Sequence, residues 1–318
     1  MKSIKVFLLA VFTIIGGSSY AAEKKQSTAD HLQNVSVTIR AEGAYSAGEG
    51  SGVIFTRKDS EGRLVNFVWT AGHVIDNLRT ERKVLVDGSP KTLVEFKDPV
   101  VVKEIRQNGR TVGRLQMDAE VLKYSESEDG HDLALLRVRK LNFVTDSVVF
   151  YLDKSIPPLG TDLLHVGSLL GQFGANSMTD GIYSQHGRVI KSLNKRIFDQ
   201  TTCTAFPGSS GGGVYLKHDG NARYVGMLVR GAGEGFNLIV PVRRMVEYCG
   251  KNKIMWALDS NVPMPSEEDL KKMPIENTPK EKEEAKNVEK EAAKKMFPFM
   301  LRVTYPKLTL IQPFEREE

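Results

Sequence analysis

Cysteine is nearly absent: Cys203 and Cys249 are the only two in 318 residues. Their spacing fits no zinc site. It leaves open either one disulfide or two buried free thiols. Long apolar runs are also lacking. After the N-terminus no stretch approaches the roughly 20 apolar residues of a membrane-spanning helix, which argues against stable membrane insertion. Nor does one sign of charge dominate. Lys and Arg number 44 against 39 Asp and Glu, and a net +5 spread this evenly does not make a nucleic-acid surface. Hydrophobic content is ordinary at 41%, enough for one large or two smaller domains with a substantial core.

The first residues read as an export signal. Lys2 and Lys5 precede the apolar "VFLLAVFTII" (Val6–Ile15), and Ser19 and Ala21 fit the small-x-small pattern of a cleavage site. Removing residues 1–21 takes away two lysines and no acid, so +5 becomes +3. The mature protein is expected to be periplasmic or secreted.

From about Val35 to Tyr248, short runs rich in β-branched and aromatic residues alternate with turn signals such as "VDGSP", "RQNGR" and "KHDGN". Examples are "VSVTIR", "SGVIF", "LVNFVWTA", "DLALLRV", "TDLLHVG" and "YVGMLV". Many strands and few helical periods predict an all-β protein, a sandwich or a pair of barrels. Apolar spacing in Val242–Leu258 predicts one helix closing the domain. Beyond Pro263 the composition turns to Lys and Glu. Residues 259–296 read as a charged linker or solvated helix, and 297–318 as an apolar, proline-broken tail that either docks as an extended strand on the body or binds a partner.

One stretch raises a chemical question. "TAFPGSSGGGVY" (Thr204–Tyr215) holds two serines and three consecutive glycines, each costing backbone entropy. The G-x-S-x-G pattern suggests a hydrolase nucleophile elbow, but that fold needs a helix after the serine and a histidine later in the chain. Here only the polar-turn His218 follows, and no helical period does. The order His, Asp, Ser remains: His73 in "TAGH", Asp132 in "HDLALL", Ser210 in "GSSGG". His131 and His165 read as structural, while His31 and His186 have no motif around them.

Together these three motifs resemble those of the trypsin-like serine proteases, in particular the bacterial secreted branch that includes the HtrA (Deg) proteases. The resemblance covers roughly residues 35–248. It implies an all-β, chymotrypsin-like double six-stranded antiparallel β-barrel over residues 30–258, with a short C-terminal helix. It implies His73 as general base, Asp132 as its partner and Ser210 as nucleophile, with the Gly208 and Ser210 N–H groups as oxyanion hole. It places the first substrate pocket near Thr204, Val229 and Gly231, without the acid that would select Arg or Lys. It implies protein or peptide substrates, no metal and no organic cofactor. Two positions depart from the family: Ser209 stands where Asp or Asn is usual, and Val229 where many relatives carry a serine that helps hold the aspartate. Without an acid at 209, trypsin-type activation by a new N-terminus is not expected. The residues after Val242 do not have the composition of a PDZ domain. An inactive protease fold that binds a partner and a serine esterase are the alternative readings.

Overall fold

The computed structural model describes residues 26–86, 89–190, 195–218, 221–231 and 235–276. The expected export signal, the apolar tail and most of the charged run lie outside them.

Among the described residues, fourteen strands follow a seven-residue helix, α1 (Thr28–Asn34), whose N-terminus is capped by the Ser27 hydroxyl. In chain order the first eight are β1 (Ser36–Glu42), β2 (Ala47–Lys58), β3 (Leu64–Thr70), β4 (Arg79–Val86), β5 (Ser89–Phe96), β6 (Val100–Gln107), β7 (Arg110–Ser125) and β8 (Leu133–Val138). The other six are β9 (Asp162–Leu169), β10 (Gly174–Val189), β11 (Ile197–Thr201), β12 (Gly213–His218), β13 (Asn221–Gly231) and β14 (Asn237–Pro241). They close into two six-stranded barrels, ordered β1-β2-β3-β8-β7-β6 and β10-β11-β14-β13-β12-β9, all pairings antiparallel. Closure leaves no open sheet edge within either barrel. The pair β4-β5 forms a separate hairpin. The expected double barrel is therefore the observed fold.

Strand alternation explains why β3 and β8 read as continuous apolar runs. Val68, Ala134 and Leu136 point into the first barrel beside Ile39 and Ile54. Their neighbours Phe67, Trp69, Leu133 and Leu135 face the opposite way, into a second core with Tyr215, Met227, Val240 and Trp256. Strands buried on both faces are the stiffest places to hang a side chain, and these two carry His73 and Asp132 at their ends.

The single helix expected over Val242–Leu258 is two pieces. Helix α2 (Gly72–Ile75) comes earlier, at the end of β3; the closing helix α3 spans Val242–Lys251 and is followed by a 3-10 turn at Met255–Ala257. Lys253 adopts φ 57° and Ile254 N donates to Cys249 O at 2.9 Å, a C-terminal cap that stops the helix. The break swings Trp256 onto Phe67, ring centroids 4.9 Å apart, while Trp69 Nε1 donates to Ala257 O at 3.0 Å. The chain then straps the first barrel. Helix α4 (Glu267–Lys272) buries Leu270, Arg137 pairs with Glu267 at 2.5 Å, Ile275 O accepts Tyr124 N at 2.9 Å, and Arg79 Nε reaches Glu276 at 2.5 Å. Charged composition here conceals an amphipathic segment with one buried leucine and specific ion pairs.

Both cysteines are free and buried, so no disulfide joins them. Cys203 lies in the second barrel's core and Cys249 in the core shared with α3. Burial pushes the Cys203 thiol up to about 11 and the Cys249 thiol higher still, which keeps both protonated and inert.

Candidate active site

His73 sits on α2, one residue after the glycine that follows β3 and Ala71, and is half-buried. Its Nδ1 lies 2.9 and 3.0 Å from the two carboxylate oxygens of Asp132, and its backbone N–H donates to Oδ1 at 3.0 Å. Asp132 is 1% exposed, immediately before β8, in the left-handed region at φ 55°. Asp accepts that conformation more readily than most residues. Burial pulls its carboxyl pKa upward, but the His73 hydrogen bonds and the positive charge of Arg230 outweigh it, and the net shift is down. Asp132 is thus an anion fixed on the imidazole's Nδ1 side, the arrangement that selects the tautomer with Nε2 free to accept a proton.

The 208–212 loop supplies the third element. Ser209 is completely buried, and its hydroxyl accepts Phe206 N at 3.1 Å. Ser210 is half-buried and donates to Val229 O at 3.4 Å, a long bond, with no hydrogen bond to His73. Of the two serines only Ser210 has a hydroxyl that a substrate can reach. The amides alternate in use. Ser209 N donates to Phe206 O, Gly211 N to Leu228 O and Gly212 N to Ser209 O, while the Gly208 and Ser210 N–H groups meet no acceptor among the described residues. Two free amides flanking one serine are the donor pair an oxyanion hole needs. The glycines make this possible. Gly208 has φ 93°, and a Cβ there would lie 2.4 Å from Ser168 O; Gly211 has φ 89°, and its Cβ would lie 2.1 Å from Ser51 O. A Gly211 Cβ would also come within 2.5 Å of Thr70 Oγ1, so the serine loop is pressed directly against the approach to His73.

Ser51 and Asn237 have structural roles that the motifs do not reveal. Ser51 Oγ donates to Gly208 O at 2.7 Å and accepts Ser168 N at 2.7 Å; Ser51 N donates to Ser210 O at 2.7 Å; and Ser51 O accepts Thr70 Oγ1 at 2.7 Å. One buried residue of β2 thus ties the serine loop to both barrels. The signal was present in "GSGVIF", but a serine between glycines has no periodicity to mark it. Ser51→Ala leaves the half-buried Gly208 carbonyl and the buried Ser168 amide without this partner. We expect a loss of about 1–3 kcal/mol in urea unfolding. Unchanged stability would remove Ser51 from the framework.

The expected pocket residues are also placed. Val229 is buried, with its carbonyl against Ser210; Thr204 is half-buried, its carbonyl accepting Thr179 Oγ1 at 2.8 Å; Gly231 is exposed at the end of β13. Asn237 connects them: its Nδ2 donates to Cys203 O at 2.8 Å and its Oδ1 lies where a Gly231 side chain would have to go. A separate cavity of about 240 Å³, lined by Tyr151, Ile156, Tyr183, Val242 and Val246 among others, touches none of His73, Asp132 or Ser210.

The other core histidines behave as structural groups. His131 is buried against Tyr248. His165 Nδ1 bonds Gly213 O at 3.0 Å behind the serine loop, and its Nε2 has no partner among the described residues. Burial pulls the His165 pKa down to about 4, against the smaller upward effect of the Gly213 carbonyl, and burial followed by neighbouring cations holds His131 well below its ordinary value. An unfolded histidine titrates near 6.5, so between pH 6.5 and 4 the unfolded chain binds protons that folded His165 refuses. Stability should therefore fall as pH drops through that window, by about 3 kcal/mol from His165 alone. Urea unfolding at pH 7 and pH 4.5 checks this: His165→Gln should shrink the difference, and an equal difference in both proteins would refute it.

Residues 50–227 match a family model described as the trypsin-like peptidase domain. That span is more than half the chain and includes His73, Asp132 and Ser210.

The chain belongs to the trypsin-like peptidase family.

Two solved structures are similar to this chain. The serine endoprotease from Yersinia pestis is 18% identical, with a TM-score of 0.49; the match covers 73% of this chain and 66% of that one. A serine-to-alanine variant of the HtrA-type protease AlgW with a tripeptide is 17% identical, with a TM-score of 0.51, covering 73% and 64%. This trypsin-like chain spans slightly less than two thirds of either. No curated protein matches it. No helix among its described residues is long and apolar enough to cross a membrane.

Proposed function

We propose that this protein is an exported serine endopeptidase, cleaving peptide bonds through His73, Asp132 and Ser210 and an acyl-enzyme intermediate. The observation that carries the reading is the buried Asp132 carboxylate held on His73 Nδ1, beside a serine flanked by two free amides. His73 Nε2 takes the Ser210 proton as Oγ attacks the scissile carbonyl. The tetrahedral oxyanion is received by the Gly208 and Ser210 N–H groups. The His73 imidazolium, stabilised by Asp132, then gives its proton to the leaving amine, and water repeats the sequence to release the acid.

Attack requires Ser210 Oγ to turn from the Val229 carbonyl toward His73. A 3.4 Å bond is weak enough to exchange, and catalytic hydrogen bonds are often long before substrate is bound. Neutral walls at Thr204 and Val229 favour an uncharged side chain in the first pocket. The protease body is residues 30–258, with 1–21 removed on export to the periplasm or beyond. Ser209 is uncharged and its hydroxyl is already engaged by Phe206 N, which supports activity without a newly cut N-terminus.

The reading is tested by incubating the mature protein with an unfolded protein and a peptide library and reading new termini by mass spectrometry. New termini with wild type and none with Ser210→Ala are expected. A folded wild type that holds peptides without cutting them would establish the binding-module alternative, and cleavage of small esters alone the esterase.

A further inference from the structure

We propose that Arg244 is a positioning residue, whose guanidinium fork ties the peptide ahead of Asp132 to β11 and so keeps the carboxylate on His73. The inference rests on the catalytic reading above and names a residue that reading does not use.

Among the described residues, all three hydrogen bonds to the Asp132 carboxylate come from His73 itself, two from Nδ1 and one from the backbone N–H. His73 and Asp132 are on separate elements, so the contact persists only if the backbone at 131–132 is fixed. That backbone is a turn in the left-handed region. Two bonds hold it from within the same loop: Asp132 N to Glu126 O at 2.9 Å, and His131 N to Ser125 Oγ at 2.7 Å. The third comes from outside. Arg244, on α3 in the C-terminal half of the fold, donates from Nη2 to His131 O at 2.7 Å and from Nη1 to Ile197 O at 3.2 Å. Its guanidinium lies over the Phe198 ring at 4.6 Å, and the residue is 5% exposed. One planar fork therefore bridges the aspartate turn and a strand of the second barrel.

A buried guanidinium is an expensive way to fill space, and apolar side chains of similar volume commonly do better. Arg244 shows the strain: burial, then repulsion from Arg196, lowers its pKa to about 10, with Asp132 and Glu247 acting in the opposite direction. The ionisable groups that face Asp132 are His73, Asp76, Arg230 and Arg244. Of the two arginines, Arg230 reaches the loop through Ser127 O at 3.4 Å, and Arg244 holds the residue adjoining the aspartate by the shorter bond. Lysine cannot replace the fork, because a single ammonium does not span two carbonyls in fixed directions.

The test measures Ser210 phosphonylation by a fluorophosphonate probe in wild type, Arg244→Met and Arg244→Lys. Each is made both with the native aspartate and combined with Asp132→Asn. The downfield proton resonance of the His73–Asp132 hydrogen bond is recorded alongside. A misplacement of this kind costs on the order of 10- to 100-fold in rate. Arg244→Met should lose that much and Arg244→Lys several-fold, both losing the downfield resonance. On Asp132→Asn the same substitutions should cost less than about 3-fold, because the residue they act through is already disabled. Equal losses in both backgrounds, or folded variants with wild-type rate and resonance, would overturn the proposal. Arg244→Lys decides the matter if Arg244→Met does not fold. A wild type that shows the resonance but takes no label would sink the catalytic reading, while loss of the resonance in the variants would still support Arg244 as the tie.

Discussion

Ser210→Ala should lower peptide hydrolysis by about 10⁶-fold while leaving the fold and substrate binding in place. Losses of that size follow removal of the nucleophile in enzymes of this mechanism, because the remaining oxyanion donors and binding contacts supply only a small residue of the rate. The structure makes the substitution clean. The Ser210 hydroxyl has a single long bond, to Val229 O, so alanine leaves no well-paired donor or acceptor stranded. Ser209 offers no substitute nucleophile, since it is 0% exposed and its hydroxyl accepts the Phe206 amide. Steady-state kinetics on a cleaved peptide and a thermal melt check this together. Activity within 100-fold of wild type, in protein that melts normally, would place the nucleophile elsewhere.

Asp132→Asn should reduce kcat by about 10⁴-fold with KM little changed. Asparagine accepts the left-handed backbone at φ 55° about as well as aspartate, so the turn should survive. What changes is the partner seen by His73 Nδ1. An amide NH₂ turned toward the ring favours the tautomer with the proton on Nε2, which cannot accept the Ser210 proton. The buried negative charge that stabilises the imidazolium is also gone. Because the His73 hydrogen bonds hold the Asp132 carboxyl below its ordinary value, the aspartate should stay charged down through the usual carboxylate range and add no limb of its own to the rate profile near neutral pH. A loss below about 10-fold in folded Asp132→Asn would mean that the aspartate neither orients nor charges the site.

Much of this was legible in the sequence, for a physical reason. The elements that position His73 and Asp132 are strands buried on both faces, and "LVNFVWTA" and "DLALLRV" advertise that burial. Gly208 and Gly211 are visible because a side chain does not fit at φ near 90° in contact with neighbouring backbone. Less legible was everything that depends on one unremarkable residue meeting a distant one. Ser51, Asn237 and Arg244 act through hydrogen bonds that reach across 157, 34 and 113 positions of chain, which no local pattern encodes. The helix over Val242–Leu258 was overextended because Lys253 takes a left-handed cap usually left to glycine. The strap from α4 through Glu276 was hidden by its charge: only Leu270, Met273 and Ile275 in that stretch face apolar neighbours, and its ion partners Arg79 and Arg137 lie far back in the chain.

The most direct measurement treats the purified mature protein with a fluorophosphonate probe at neutral pH and locates the adduct by mass spectrometry. The account requires a single adduct on Ser210 that forms far more slowly in Asp132→Asn. A folded protein that takes no label, or takes it on another residue, would contradict it.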